Sequence, residues 1–274
     1  KYFTDFAYSS PNINPPSIKG EVPFASEMNE IYLKMINDEG NNLRCNYGYM
    51  KKQYDINEKM RAVLIDWLVD VHLKFKLRSE TLFLTVYIID RYLNTKIIQK
   101  NILQLVGVSA LMIACKYEEI YTPEVSDFTY ITDNTYTKEE ILAMEKEILS
   151  ALSFDITIPS ILKFYDLLCL NFALNELEYN MGRYLLDLFL LDYRINKYSH
   201  SLIACSVIYL VMKVRNYQNY HQIKSYTLYP DSELKKCAED IFNLFTNFGT
   251  CNLTAVINKY STEEFLNVSK LKLF

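Results

Sequence analysis

Six glycines and seven prolines in 274 residues leave few places where this chain is obliged to break a helix. These two residue types cost a helix interior most, and Pro23, Pro123, Pro159 and Pro230 stand where apolar-periodic segments begin or end. The pattern predicts an all-α architecture. Helices are expected over 25–37, then 56–76, 80–93, 100–118, 123–130 and 138–152, then 160–173, 177–192, 199–215, 231–248 and 253–260. That is one N-terminal helix followed by two sets of five. Ser153–Pro159 reads as the linker between the sets, because the residue before a proline is pushed out of the helical region. The expected organisation is an extended segment over 1–23, helix and loop over 24–54, a first bundle over 55–153, a second over 159–262 and a tail over 263–274.

Start signals support the reading. Asp55-x-x-Glu58 precedes the first long helix, Asn175-x-x-Glu178 precedes Met181–Leu191, and Thr137 is followed by Glu140 at capping-box spacing, with Tyr136 placed to close on Ile141. Repetition between the sets is faint: Ile89-Asp90-Arg91 matches Leu191-Asp192-Tyr193, and Ala110–Cys115 matches Leu202–Val207 in its small residues. The stretch 60–71 is apolar on two opposite sides. At about 100° per residue, Met60, Val63, Leu64, Trp67 and Val71 share one face and Ala62, Ile65, Leu68 and Val69 the face behind it. One face belongs to a core; the other, holding the only Trp, is a candidate binding stripe.

Composition narrows the function classes. Net charge is −4, whereas phosphate binding draws on clustered Lys and Arg, so nucleic acid is not an expected partner. The longest uncharged run, Asn101 to Cys115, is too short and too interrupted to cross a bilayer, so no membrane partner is expected either. A start at Lys1 rather than Met predicts a fragment of a longer protein. Cys45, Cys115, Cys169, Cys205, Cys237 and Cys251 lie far apart with no C-x-x-C, which predicts free thiols in a reducing compartment. No glycine-rich phosphate loop occurs, and His72, His200 and His221 have no metal-ligand spacing, so neither a cofactor nor a metal is expected. His72 is expected to sit satisfied beside the first core.

Four segments in order, MRAVLIDWLVDV at 60–71, IDRYL at 89–93, LQLVG at 103–107 and ACKYEE at 114–119, closely resemble the cyclin box. YITDNTYT at 130–137 and Met144-Glu145 extend the match, which is closest to mitotic cyclins of the A/B group, while Leu73–Leu77 and Leu191-Asp192-Tyr193 lean towards the B type. The resemblance is strong over about 47–158 and thinner to about 260. It implies an N-terminal helix and two tandem five-helix cyclin folds. It also implies a regulatory subunit, not itself an enzyme, that binds and activates a cyclin-dependent kinase in mitotic control, in the nucleus and cytoplasm.

The resemblance carries residue roles. Lys116 and Glu145 would hydrogen-bond the kinase backbone just before its regulatory C helix, with Ile113, Tyr117, Leu149, Phe154 and Ile156 completing the kinase face. The N-terminal helix would add Met28, Ile31, Tyr32 or Met35. Met60, Val63, Leu64, Trp67, Leu103 and Gln104 would form a docking patch for Arg-x-Leu-type motifs of substrates and inhibitors, with Asp70 facing the motif's arginine. Arg61 and Asp90, on otherwise apolar helices, are expected to form a buried bidentate ion pair at positions where the family has one. The competing readings are a cyclin-fold transcription factor that binds DNA, and a transcriptional cyclin.

Overall fold

The structure, a computed structural model, describes residues 25–41, 47–215, 217, 229–248 and 252–271. The extended segment expected over 1–23, and Cys45, His221 and Cys251, lie outside the described residues. Within them the chain is helical and has no strand. An N-terminal helix α1 (Ala25–Asn41) precedes α2 (Glu58–Phe75), α3 (Ser79–Thr95), α4 (Leu103–Glu118), α5 (Val125–Ile131) and α6 (Lys138–Ala151). The second set is α7 (Ile161–Asn171), α8 (Glu176–Leu191), α9 (His200–Val214), α10 (Asp231–Phe248) and α11 (Ala255–Lys259).

Each set wraps around its third helix. In α4 the residues from Leu105 to Cys115 are buried without a break, and in α9 only Tyr209 interrupts the buried run from Ser201 to Met212. A helix apolar all round is stable only when neighbours cover every side. The small-residue runs Ala110–Cys115 and Leu202–Val207 lie on these two central helices. Small residues matter at close crossings: a Cβ on Gly182 would fall 2.0 Å from the Tyr165 hydroxyl, where α8 meets α7.

Caps set the helix ends. Thr137 Oγ1 accepts from the Glu140 amide at 3.2 Å while Glu140 Oε2 accepts from the Thr137 amide at 2.8 Å, and Asn175 and Glu178 make the same reciprocal pair at 3.0 Å each. The start of α2 departs from the sequence expectation. Asn57, not Asp55, is the cap, accepting from the Met60 amide at 3.0 Å, and Asp55 accepts instead from the Lys100 amide at 2.8 Å. Lys100–Ile102 forms a 3-10 turn, so α4 begins at Leu103 rather than at 100.

The two bundles are joined by side chains of the first that cap helices of the second. Arg61 donates from Nε and Nη2 to the two Asp90 oxygens, both at 2.6 Å, and from Nη1 to the carbonyls of Leu190 (3.0 Å) and Leu191 (3.4 Å), at the C-terminus of α8. Asp90 is saturated by Tyr49 Oη at 2.7 Å and Asn196 Nδ2 at 2.9 Å. Burial alone would push the Arg61 guanidinium down; Asp90 more than offsets it and holds it above its usual range. Asp66 accepts from the amides of Thr254 (3.3 Å) and Ala255 (3.1 Å), a carboxylate at the N-terminus of α11.

Helix α1 starts at Ala25 as expected but runs about one turn further than the sequence predicts, to Asn41 instead of 37. Gly40 has open space around it and adds nothing to the helix; Glu39, buried to 1% exposure, anchors this last turn. Its carboxylate accepts from the His200 amide at 2.5 Å and from the Ser201 hydroxyl, at the N-terminus of α9. A tertiary anchor overrides the poor helix propensity of Asp38 and Gly40 on either side of Glu39.

His72 is only half satisfied. Nε2 meets the Arg78 carbonyl at 3.0 Å, so Nε2 carries the proton, while Nδ1 is buried with no hydrogen-bond partner. Burial, with the Lys259 ammonium adding, pushes its pKa down to about 3. The unfolded chain therefore binds a proton below about pH 6.5 that the folded chain refuses. Unfolding free energy should fall by about 1.4 kcal/mol per pH unit through this group as pH drops from near 6 towards 3. Urea titrations of wild type and His72→Gln at several pH values check this: the variant should lose that part of the slope. Asp90→Ala should cost about 3–5 kcal/mol by stranding Arg61, and an unchanged urea midpoint would refute the pair's role.

Candidate functional site

The C-terminus of α4 and the outer side of α6 meet at one surface. Lys116 Nζ donates to Glu145 Oε1 at 2.6 Å and to Oε2 at 2.8 Å, across 29 residues of sequence. The lysine side chain is 48% exposed and the glutamate 13%, so the pair faces solvent on one side and is propped by protein on the other. An ammonium has three hydrogens; with two spent on Glu145, one remains for another acceptor. The glutamate oxygens keep lone pairs for a donor. The pair thus offers a donor and an acceptor side by side, the complement of a peptide group.

Apolar side chains ring this pair. Leu142, Glu145 and Leu149 lie at i, i+3 and i+7 on α6 and so share a stripe. Tyr117 is exposed, and its hydroxyl lies 3.1 Å from Thr157 Oγ1 in the linker. Phe154 is 69% exposed with φ of 57°, in the left-handed region, following Ser153 at 53°. Left-handed backbone costs an L-residue about 1–2 kcal/mol; here it ends α6, with the Phe154 amide donating to the Leu149 carbonyl at 2.9 Å, and leaves the ring in solvent. Ile113 and Ile156 behave differently from the other expected members. Both are buried, at 3% and 8%, and support the surface from beneath.

Two further exposed apolar residues follow α4, Ile120 and Tyr121, which the sequence patterns do not single out. Their signal was an apolar pair in a loop running into Pro123, with no helical period to bury it. On the N-terminal helix Tyr32 is buried rather than presented to a partner, with its hydroxyl 3.2 Å from Cys205 Sγ, and Met35 is half-buried against the second core. Ile31 and Leu33 are exposed; the Met28 side chain lies outside the described residues.

The docking stripe on α2 is narrower than expected. Met60 and Trp67 are half-buried, Val63 and Asp70 are exposed, and Gln104 on α4 is half-buried beside them. Leu64 and Leu103, expected on the outside, are buried at 6% and 7%, and Val71 is buried as well. Gly107 explains Leu64: a Cβ there would sit 2.7 Å from Leu64 Cδ1, so the glycine lets α4 approach and Leu64 fills the gap. Leu103 follows the 3-10 turn Lys100–Ile102 and packs into the first core. What stays outside is Met60, Val63, Trp67 and Asp70, a single i, i+3, i+7, i+10 row.

Among the described residues no group of His, Cys, Asp and Glu is arranged to hold a metal, and no helix is long and apolar enough to cross a membrane. Cys115, Cys169, Cys205 and Cys237 are free and buried, and burial pushes the Cys115, Cys205 and Cys237 thiols up to about 12.

The sequence models of the cyclin N-terminal and C-terminal domains match residues 30–157 and 159–273 in succession. Together with the helical architecture, this places the chain in the cyclin family. It is similar to the G2/mitotic-specific cyclin-B of Spisula solidissima, 40% identical over 89% of this chain and 57% of that one. It is also similar to that of Dictyostelium discoideum, 38% identical over 81% and 52%. The chain therefore spans little more than half the length of these relatives. Among solved structures, a viral cyclin from herpesvirus saimiri superposes with a TM-score of 0.63 at 21% identity, covering 81% of this chain and 99% of that one. A chain of the yeast RNA polymerase II CTD kinase CTDK-1 complex gives 0.62 at 16% identity, covering 75% and 73%. These two likenesses speak to the fold.

Phe154→Gly should relieve the left-handed backbone and raise unfolding free energy by about 1 kcal/mol, since the ring buries little. A lowered urea midpoint would show that the ring, not the turn, is structural.

Proposed function

We propose that this chain is the regulatory subunit of a cyclin-dependent protein kinase in mitotic control, contributing binding surface and no catalytic group. The observation that carries the reading is the Lys116–Glu145 pair, assembled from two helices before any partner arrives and ringed by Tyr117, Leu149 and Phe154. The likeness to B-type cyclins supports the choice of partner and process. A protein kinase is active only when its C-helix glutamate and strand lysine are paired and its metal-binding aspartate is in place. A partner that binds this arrangement better than the inactive one shifts the population towards it. The chain's own part is to offer the kinase backbone a donor and an acceptor in fixed geometry, seat apolar side chains around them, and resist deformation. The buried α4 beneath Lys116 and the capping box that starts α6 supply that resistance.

The row Met60, Val63, Trp67 and Asp70, with Gln104 beside it, is proposed as the docking site for Arg-x-Leu-type motifs. A small exposed apolar surface with an acidic residue at one end fits a short peptide carrying one arginine and one leucine. Partial burial raises the Asp70 carboxyl, and an arginine arriving beside it would reverse that effect.

Truncating a charge desolvated at an interface costs about 2–5 kcal/mol. Lys116→Ala and Glu145→Ala should each weaken association with a purified cyclin-dependent kinase subunit by about thirtyfold or more. As a partly exposed pair, it should change the stability of the free chain by no more than about 1 kcal/mol. Calorimetric titration of both variants measures the first effect and urea unfolding the second; wild-type affinity in both variants would remove the assignment.

A further inference from the structure

Beyond the backbone bonds that tie its first residues to the end of α6, three side chains hold the linker among the described residues, two from the first bundle and one from the second. Arg91 Nη1 on α3 donates to the Asp155 carbonyl, and the Tyr117 hydroxyl meets Thr157 Oγ1. The third is His200, whose Nδ1 lies 2.9 Å from the Pro159 carbonyl. A carbonyl only accepts, so Nδ1 carries a proton there. The same residue's backbone amide donates to the buried carboxylate of Glu39 at the end of α1, and its ring meets Tyr87 on α3 edge-on, centroids 5.8 Å apart. Glu39 is held further by the Ser201 hydroxyl, which lies 2.6 Å from Tyr229 Oη. Glu39, Tyr117, Ile156, Thr157 and His200 line one cleft between the bundles.

We infer that Glu39 is a positioning residue for the kinase face. By holding the first turn of α9 it fixes His200, His200 fixes the Pro159 end of the linker, and the linker sets where Phe154, Ile156 and Thr157 stand relative to Tyr117. No other residue of α1 carries charge into the interior among the described side chains. Among the described residues no cation pairs with this carboxylate, which is met by the amide and hydroxyl donors and by the positive end of α9. Its removal loosens two elements at once, the end of α1 and the start of α9. The consequence for Lys116 and Glu145 is small, because their helices are braced within the first bundle. The effect therefore falls on the aromatic side of the face and leaves the ion pair intact.

This inference rests on the kinase-binding reading, and the test separates the two. Hydrogen exchange at the amides of Asp155 to Ile158, followed in the whole chain without a partner, reads the fastening alone. Glu39→Ala should speed exchange there, and so should His200→Phe, which keeps the ring contact with Tyr87 and the backbone bond to Glu39 but cannot donate to Pro159. Unchanged exchange in His200→Phe overturns the inference even if Glu39→Ala fails to fold. Kinase affinity is then measured for each variant and for its combination with Phe154→Ala. A coupling of about tenfold is expected: Phe154→Ala should cost less affinity when Glu39 or His200 is already replaced. Strictly additive losses would mean general destabilisation and would overturn the positioning role. Failure of the wild-type chain to bind the kinase subunit, with faster linker exchange in both variants, would sink the kinase reading and leave the fastening in place.

Discussion

The Arg61–Asp90 pair is the point on which both bundles hang. An arginine has five N–H donors in a rigid fork, and here the fork is divided: one edge grips a carboxylate of its own bundle, and the remaining nitrogen takes the last carbonyls of α8 in the other. The carboxylate in turn is filled by a tyrosine from the chain before α2 and an asparagine from the turn after α8. A buried ion pair is weak evidence for stability when an apolar pair could replace it. That exchange is closed here, because no apolar side chain could satisfy the α8 carbonyls. The pair persists because it solves a helix-end problem in a place water does not reach.

The same solution recurs with the opposite sign. Asp66 meets the N-terminus of α11 and Glu39 the N-terminus of α9, so each charge sits at the helix end whose dipole favours it. Within the second bundle, Lys259 and Asp187 form a fully buried pair at 2.8 Å, joined by the Tyr260 hydroxyl at 3.1 Å. The contacts that Arg61, Asp66 and Glu39 make with the second bundle make its orientation specific where apolar contact alone would allow sliding. A rigid orientation is what a surface used to hold another enzyme requires.

Local signals were legible in the sequence, and signals that depend on tertiary partners were not. The helices, their order and the boxes at Thr137 and Asn175 follow from spacing within a few residues, where side chain and backbone donor are neighbours. The cap of α2 lies two residues past the one the spacing predicts because Asp55 and Asn57 are equally able caps, and Lys100, distant in sequence, draws Asp55 away. Leu64 and Leu103 were read as outward because a period of 3.6 gives the angle of a residue and not the depth of the neighbouring helix, which Gly107 controls. The end of α1 escapes the sequence for a similar reason. Asp-Glu-Gly-Asn-Asn has the composition of a loop, and nothing nearby announces that its glutamate will be swallowed by a helix more than 150 residues away. Of the expected kinase face, the charged pair and the exposed aromatics lie together, whereas Ile113 and Ile156 lie underneath.

The caps that cross between bundles bear on what the chain is as a folding unit. Two similar five-helix sets invite the view that each is a module that could be cut out and studied alone. Cut at the linker, the first would keep Arg61 with part of its fork emptied and Asp66 without the amides it serves. The second would expose the ends of three helices. Halves of a duplicated fold that finish each other's backbone are no longer independent parts, and denaturant should dissolve them together, in one transition.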